Sequence, residues 1–249
     1  MLFRSPLLER LNRPRWQGCQ RRIGLTGGIA SGKSSVGRLL ASRGLPLLDA
    51  DVFAREALAP GSPGARAVLE RYGERVRLRD TAEPSSGPTT QDTTRDRATG
   101  SPAPDEAIAI DRAALGRIVF ADAAERQWLE RLVHPLVRAR FAAELQRLAQ
   151  EPAVVLVIPL LFEAGLEELC SEVWLVDCEP EQQLQRLIGR DRLSEADARA
   201  RLAAQWPLAR KRPLADRLID NRAEPAALAA QLPAALGSGA AAAGAAANT

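Results

Sequence analysis

Gly27-Gly28-Ile29-Ala30-Ser31-Gly32-Lys33-Ser34 reads G-x-x-x-x-G-K-S, the full pattern of a phosphate-binding loop. Its flanks agree with that reading. Ile23-Gly24-Leu25-Thr26 is a short apolar run suited to a buried strand, and Val36, Leu39 and Leu40 recur at helical spacing after the loop. Strand, glycine loop and helix therefore follow one another in the order that a triphosphate cradle needs. Glycines let backbone N–H groups turn inward on a phosphate, and the helix points its positive end at the same place. Lys33 has the reach for the β- and γ-phosphates, and the Ser34 hydroxyl is placed to hold Mg²⁺. The alternative, a plain glycine turn, does not account for the lysine or the spacing.

Outward from the loop, Leu45-Pro46-Leu47-Leu48 reads as a second strand that ends in Asp49-Ala50-Asp51. In parallel α/β sheets the ligand crevice lies at the carboxyl ends of the strands. Two carboxylates one residue apart on an extended segment point the same way, so one of them could take a proton or hold magnesium. The competing role for Asp51 is to cap a helix beginning at Val52. Residues 153–161 (AVVLVIPLL) form a near-continuous apolar run, the mark of a strand buried on both faces, with Pro159 at its end. Phe162 and Glu163 follow. Val173 to Asp177 is a fourth strand and Leu218 to Asn221 a short fifth. Asp177 reads as a turn residue in preference to a second nucleotide-binding acid. Strands near 22, 46, 153, 173 and 217 alternate with helical patterns, which predicts an α/β fold with a parallel sheet covered on both faces.

Between these strands, 62–72 reads as a short helix, and Leu115 to Leu148 as a helical run broken or kinked at His134-Pro135. His134 is either a core or helix-end residue or part of a substrate pocket. Residues 81–104 hold four prolines and no Leu, Ile, Val or aromatic residue, so they cannot bury enough apolar surface to offset their ordering entropy. They read as a disordered insertion within the domain. Residues 184–214 carry two arginine groups, Arg186/Arg190/Arg192 and Arg210/Lys211/Arg212, on consecutive helices. That pattern suits a phosphate-covering lid, and solvated helix faces are the other reading. Residues 1–20 read as a flexible extension, 225–236 as a last helix and 237–249 as a disordered Ala/Gly tail.

Composition narrows the classes. At 249 residues, with 46% hydrophobic and 26% charged residues, the chain is globular and long enough for a sizeable core. No run reaches the roughly 20 apolar residues of a membrane span. A net charge of +3 is too mild to argue for nucleic acid, and aromatics are only 4%. The three cysteines lack metal or redox spacing, consistent with a reducing cytoplasm, and a single histidine argues against a His-based metal site. Lys33 and Lys211 are the only lysines.

Several motifs in order resemble the dephospho-CoA kinase family. They are Gly24 to Ser35; Leu48-Asp49-Ala50-Asp51 with Ala54-Arg55; Leu132 to Leu136; Pro159-Leu160-Leu161-Phe162-Glu163; Arg190-Asp191 with Gln205; and Ala215-Asp216 with Ile219-Asp220-Asn221. The likeness covers roughly residues 22–236 apart from the insertion. It implies a P-loop kinase core, a three-layer sandwich around a five-stranded parallel sheet, with a helical acceptor-binding region and a lid. The 21–236 stretch would be that domain. It implies transfer of the ATP γ-phosphate to the ribose 3′-hydroxyl of dephospho-CoA, with Mg²⁺, by a cytoplasmic monomer or weak homo-oligomer.

Carried over by position, Asp51 resembles the general base and Arg190 the lid arginine. Lys33 and Ser34 resemble the phosphate and Mg²⁺ residues within an ATP loop spanning Gly27, Gly28, Ile29, Ala30, Ser31, Gly32, Lys33, Ser34 and Ser35. Asp49, His134, Leu161 and Phe162 would line the acceptor side. Ala30 and Ser35 stand where the family usually has Gly and Thr, and alanine is expected to keep φ negative there. A related kinase with another acceptor is the nearest alternative. A GTPase switch is disfavoured by the lack of an N-K-x-D motif, and a nucleic-acid ATPase by the lack of a basic stripe with stacking residues.

Overall fold

The computed structural model describes residues 14–78 and 108–245. The expected insertion at 81–104 and residues 1–13 lie outside the described residues, as do 246–249. In chain order the elements are β1 (Arg21–Gly27), α1 (Lys33–Ala41), β2 (Leu47–Asp49), α2 (Ala50–Ala57), α3 (Pro63–Tyr72), α4 (Arg112–Ala121) and α5 (Ala123–Arg147). There follow β3 (Ala153–Val157), β4 (Glu172–Asp177), α6 (Pro180–Asp191), α7 (Glu195–Ala203), α8 (Leu208–Lys211), β5 (Arg217–Asp220) and α9 (Pro225–Ala245). They form two compact units, one of Met1–Asp51 with Phe141–Thr249 and one of Val52–Arg140.

The first unit contains a five-stranded sheet in the order β2-β3-β1-β4-β5. Every pairing is parallel, and Leu25 on the central strand faces Val157 on one side and Trp174 on the other. Alternation along the strands divides the core between two layers. Ile23, Leu25, Trp174 and Val176 meet Val36 and Leu40 of α1 and Leu228 and Leu232 of α9 on one face. Leu175 packs with Cys178 and with Leu208 of α8 on the other. Gly24 faces this second layer so closely that a Cβ there would lie 2.6 Å from Cys170 Sγ and 2.8 Å from Leu161 Cδ1. The strand therefore needs glycine at 24 to let the loop after β3 approach it. Cys170 is walled in by this packing, and burial pushes its thiol up to about 12.

The second unit packs Ala65, Val68 and Tyr72 of α3 against Leu115 and Val119 of α4, with Trp128, Leu129 and Leu132 of α5 alongside. Ser62 caps α3 by accepting from Ala65 N at 3.0 Å, and Asp111 caps α4 by accepting from Ala113 N at 2.9 Å. The expected helix over 62–72 is therefore present, one residue shorter at its start.

Three expectations are corrected. Of the break or kink expected at His134-Pro135, the break is absent, since α5 is continuous with Pro135 inside it. A proline removes one helical hydrogen bond, a loss that the packing of the flanking turns outweighs. The last helix does not stop at 236 but runs to Ala245, because alanine has the highest helix propensity of any residue. The end of the N-terminal extension is anchored. Trp16 N donates to Cys170 O at 3.2 Å, Trp16 Nε1 donates to Gln20 O at 2.8 Å, and the Arg22 guanidinium lies 3.4 Å from the Trp16 ring centroid.

Candidate active site

The carboxyl ends of β1, β2 and β3 open on a cavity of about 680 Å³ within the first unit. Lys33, Ser34, Asp51, Pro159, Leu160, Arg186, Arg190 and Gln205 are among the residues that line it. Lys33, Asp51 and Arg190, apart in the chain, thus line one cavity.

The phosphate loop gets its shape from residues elsewhere in the chain. Gln205 Oε1 accepts from Ile29 N at 2.9 Å, Gln183 Nε2 donates to Ile29 O at 2.8 Å, and Asn221 Nδ2 donates to Ser31 O at 2.7 Å. Three carboxamides therefore hold the loop from three elements, each satisfying a backbone group that the turn leaves unpaired. The approach is close: a Cβ on Gly32 would lie 2.0 Å from Asn221 Nδ2, and φ there is 104°. Ala30 corrects the expectation of a negative φ, since its φ is 58°. The residue therefore sits in the left-handed region, which is costly for alanine.

Lys33 Nζ donates to Gly27 O at 2.9 Å and to Gly28 O at 2.7 Å. Burial, and next the nearby Lys211 ammonium, bring its pKa down to about 8, against the partial offset of Asp51 and Glu163. Arg190 Nε donates to Asp191 Oδ1 at 2.7 Å, and Arg201 reaches the same carboxylate at 3.2 Å. The Asp191 hydrogen bond holds Arg190 above its ordinary pKa, and Arg190 in turn depresses the Asp191 carboxyl.

The two aspartates divide the work differently from the expectation. Asp49 is the last residue of β2, while Asp51 stands in the first turn of α2, so they do not share an extended segment. Asp49 is the capping residue: its Oδ1 accepts from Asp51 N at 2.8 Å. This leaves the Asp51 carboxylate exposed at the cavity.

Leu161 and Phe162 are 0% and 1% exposed, turned inward beneath the loop that follows β3, and the members of that stretch lining the cavity are Pro159 and Leu160. His134 belongs to the second unit, exposed on α5, which removes its core alternative. Asp177 is 5% exposed and accepts from Arg212 Nε at 3.0 Å, so it anchors the chain after α8. Arg210 lies 3.5 Å from the Trp206 ring centroid, and Lys211 is 0% exposed. Of the second arginine-rich group, Lys211 is buried, Arg212 is paired with Asp177, and Arg210 stacks on Trp206 while staying exposed.

Gln183 is not singled out in the sequence, whereas Arg186, one of the lid-type arginines, and Asn221, in the last motif, are. Arg186 Nη2 donates to Asn221 O at 2.9 Å, while its Nη1 is buried with no hydrogen-bond partner. Its spacing of four from Arg190 was the available signal, because residues at i and i+4 share a helix face.

Phosphate loop, parallel sheet and opposed carboxylate and guanidinium groups define a P-loop phosphotransferase. The profile of the dephospho-CoA kinase family matches residues 21–82 and 104–226. A dephospho-CoA kinase of Synechococcus sp. (strain CC9605) is 60% identical over 208 residues, covering 84% of this chain and 88% of the relative. Its counterpart in Parasynechococcus marenigrum (strain WH8102) is 55% identical over 202 residues, covering 81% and 88%. Among solved structures, TT1252 from Thermus thermophilus is 32% identical with a TM-score of 0.68, covering 89% of this chain and 98% of that one. The chain belongs to the dephospho-CoA kinase family, whose reaction is the final step of coenzyme A synthesis.

Proposed function

We propose that the 680 Å³ cavity is where ATP and dephospho-CoA react, with Asp51 as the general base that takes the proton of the ribose 3′-hydroxyl. The observation that carries this is that Asp51 lines the same cavity as Lys33, Ser34 and Arg190. Phosphoryl transfer asks the protein mainly for alignment and for neutralisation of charge on the transferring group. Gly27 to Ser35 would hold the triphosphate through backbone N–H groups and the α1 N-terminus. Lys33 would exchange its bonds to Gly27 O and Gly28 O for the β- and γ-phosphates. Arg190, with Arg186 behind it on α6, would meet the γ-phosphate from the lid side.

The donors fit a magnesium ion. Ser34 offers a hydroxyl at the cavity, and among the described residues no three His, Cys, Asp or Glu side chains form a metal cage. An ion held by one or two protein oxygens and the phosphates matches the habit of Mg²⁺. When bound, Mg²⁺ would supply charge neutralisation between the phosphates. Asp49 would orient Asp51 through the cap, and Leu161 and Phe162 would support the acceptor wall from behind. His134 would serve acceptor binding. The reaction is assigned to the cytoplasm and to a monomer or weak homo-oligomer; among the described residues no helix is long and apolar enough to cross a membrane.

Mixing the protein with Mg-ATP and dephospho-CoA and weighing the products tests the proposal. One added phosphate on the acceptor at the 3′ position supports it. No gain with dephospho-CoA, but gain with another alcohol, overturns it.

A further inference from the structure

Glu163 follows β3 and is not among the residues that line the cavity, though its charge is felt at Lys33. Its Oε1 accepts from Lys211 Nζ at 2.7 Å and from Trp206 N at 3.1 Å. Lys211 is 0% exposed and also donates to Pro159 O at 3.4 Å. Pro159 O accepts a second bond, from Thr26 Oγ1 at 3.2 Å, next to the phosphate loop. One residue before Trp206, Gln205 holds Ile29 N. The junction between α7 and α8 is therefore fastened twice at adjacent positions, once to the phosphate loop and once to the loop after β3. Pro159 and Leu160 of that second loop line the cavity.

We infer that Glu163 is a positioning residue which, through Lys211 and Trp206, sets the register of the lid against the phosphate loop. An isolated buried ammonium is strongly disfavoured, so Lys211 stays in place only while Glu163 opposes it. With both in place the 205–211 segment has one position. The arm before it, α6 and α7, then delivers Arg190 to the cavity at one height. If the fastening loosens, the lid still carries its arginines, but it seals the cavity less well and water competes with the 3′-hydroxyl for the γ-phosphate. The inference rests on the reading of Lys33 and Arg190 as the groups on the transferring phosphate.

The test uses Glu163→Gln, which removes the charge, and the double variant Glu163→Leu with Lys211→Met. The double variant removes both charges with little change in volume, a replacement that buried ion pairs often tolerate. For each folded variant the measurements are thermal melting, ATP binding by calorimetry, transfer to dephospho-CoA, and ATP hydrolysis to ADP and phosphate without acceptor. Both variants are expected to bind ATP within about threefold of the parent and to transfer roughly 10- to 100-fold more slowly. The ratio of hydrolysis to transfer should rise at least about tenfold, because a loosened seal admits water, whereas an altered charge balance at Lys33 would slow hydrolysis and transfer together. A purely structural pair would lower the melting temperature of Glu163→Gln, be restored in the double variant, and leave the ratio at the parental value. That result overturns the inference. Lys33→Ala in the parent separates the two readings. If it transfers normally, the site assignment fails, whatever the ratio in the Glu163 variants.

Discussion

The Lys33 ammonium donates to the Gly28 carbonyl oxygen at 2.7 Å, so the cation proposed to meet the phosphates is held by its own loop. On the proposed reading, phosphate binding exchanges two neutral carbonyl contacts for anionic oxygens.

The pKa of Lys33, about 8 in the unliganded protein, makes that exchange visible as a proton. Bound triphosphate favours the charged form, so ATP binding near pH 8 should take up protons, and affinity should fall as pH rises beyond it. Calorimetry in buffers of different ionisation enthalpy measures the uptake, which Lys33→Met should abolish.

Stability follows with a definite sign. The folded pKa of Lys33 lies below the unfolded value of about 10.4, so the unfolded state binds more protons between about pH 8 and 10.4. This group's contribution is therefore unfavourable below about pH 8 and is relieved as pH rises through that window. Lys33→Met should raise stability at pH 7 by about 1–3 kcal/mol while slowing transfer by orders of magnitude. Denaturant titration at pH 7 and pH 10 checks it, with the gain shrinking at the higher pH.

Asp51→Asn keeps the size of the side chain and removes the base. It should bind ATP like the parent and lose about 10²–10⁴-fold in turnover. Turnover like that of the parent would show that another group takes the proton.

Ala30 and Arg192 hold φ of 58° and 53°, the only described non-glycine residues with positive φ. Arg192 ends α6, where glycine is the usual occupant. Ala30→Gly and Arg192→Gly should each raise stability by several tenths to about 1 kcal/mol, by removing the steric cost of the left-handed region. Thermal denaturation reads the gain, and Ala30→Gly should keep transfer within about twofold of the parent.

A Cβ on Gly28 would come 2.2 Å from Gln183 Nε2, and no positive φ adds to that clash. Gly28→Ala should therefore cost about 1–3 kcal/mol, and the added change Gln183→Ala should recover part of it. If the double variant is no more stable than Gly28→Ala alone, contact with Gln183 is not what requires glycine at 28.

Much of this protein was legible along the chain. The strand, loop and helix around Lys33, the β-branched run of β3 and the helix over 62–72 depend on neighbours within a few residues, so spacing and side-chain type suffice to read them. The motif order from Gly24 to Asn221 carried the family in the same way. The site was less legible. The capping role weighed for Asp51 falls to Asp49 once α2 begins at Ala50, and Leu161 and Phe162 resembled wall residues until the turn after β3 faced them inward.

What the sequence by itself determined is the α/β order, the donor loop and the family, since each is written in local pattern. Only the tertiary structure decided that Gln205 holds Ile29, that Asn221 holds Ser31, and that Lys211 is buried on Glu163 and not spread over phosphate. The physical reason is that a lysine or an amide in a helix carries the same local signal whether it faces solvent or a partner. Its role is set by which groups the fold brings within about 3 Å, and by how little water remains to compete with them.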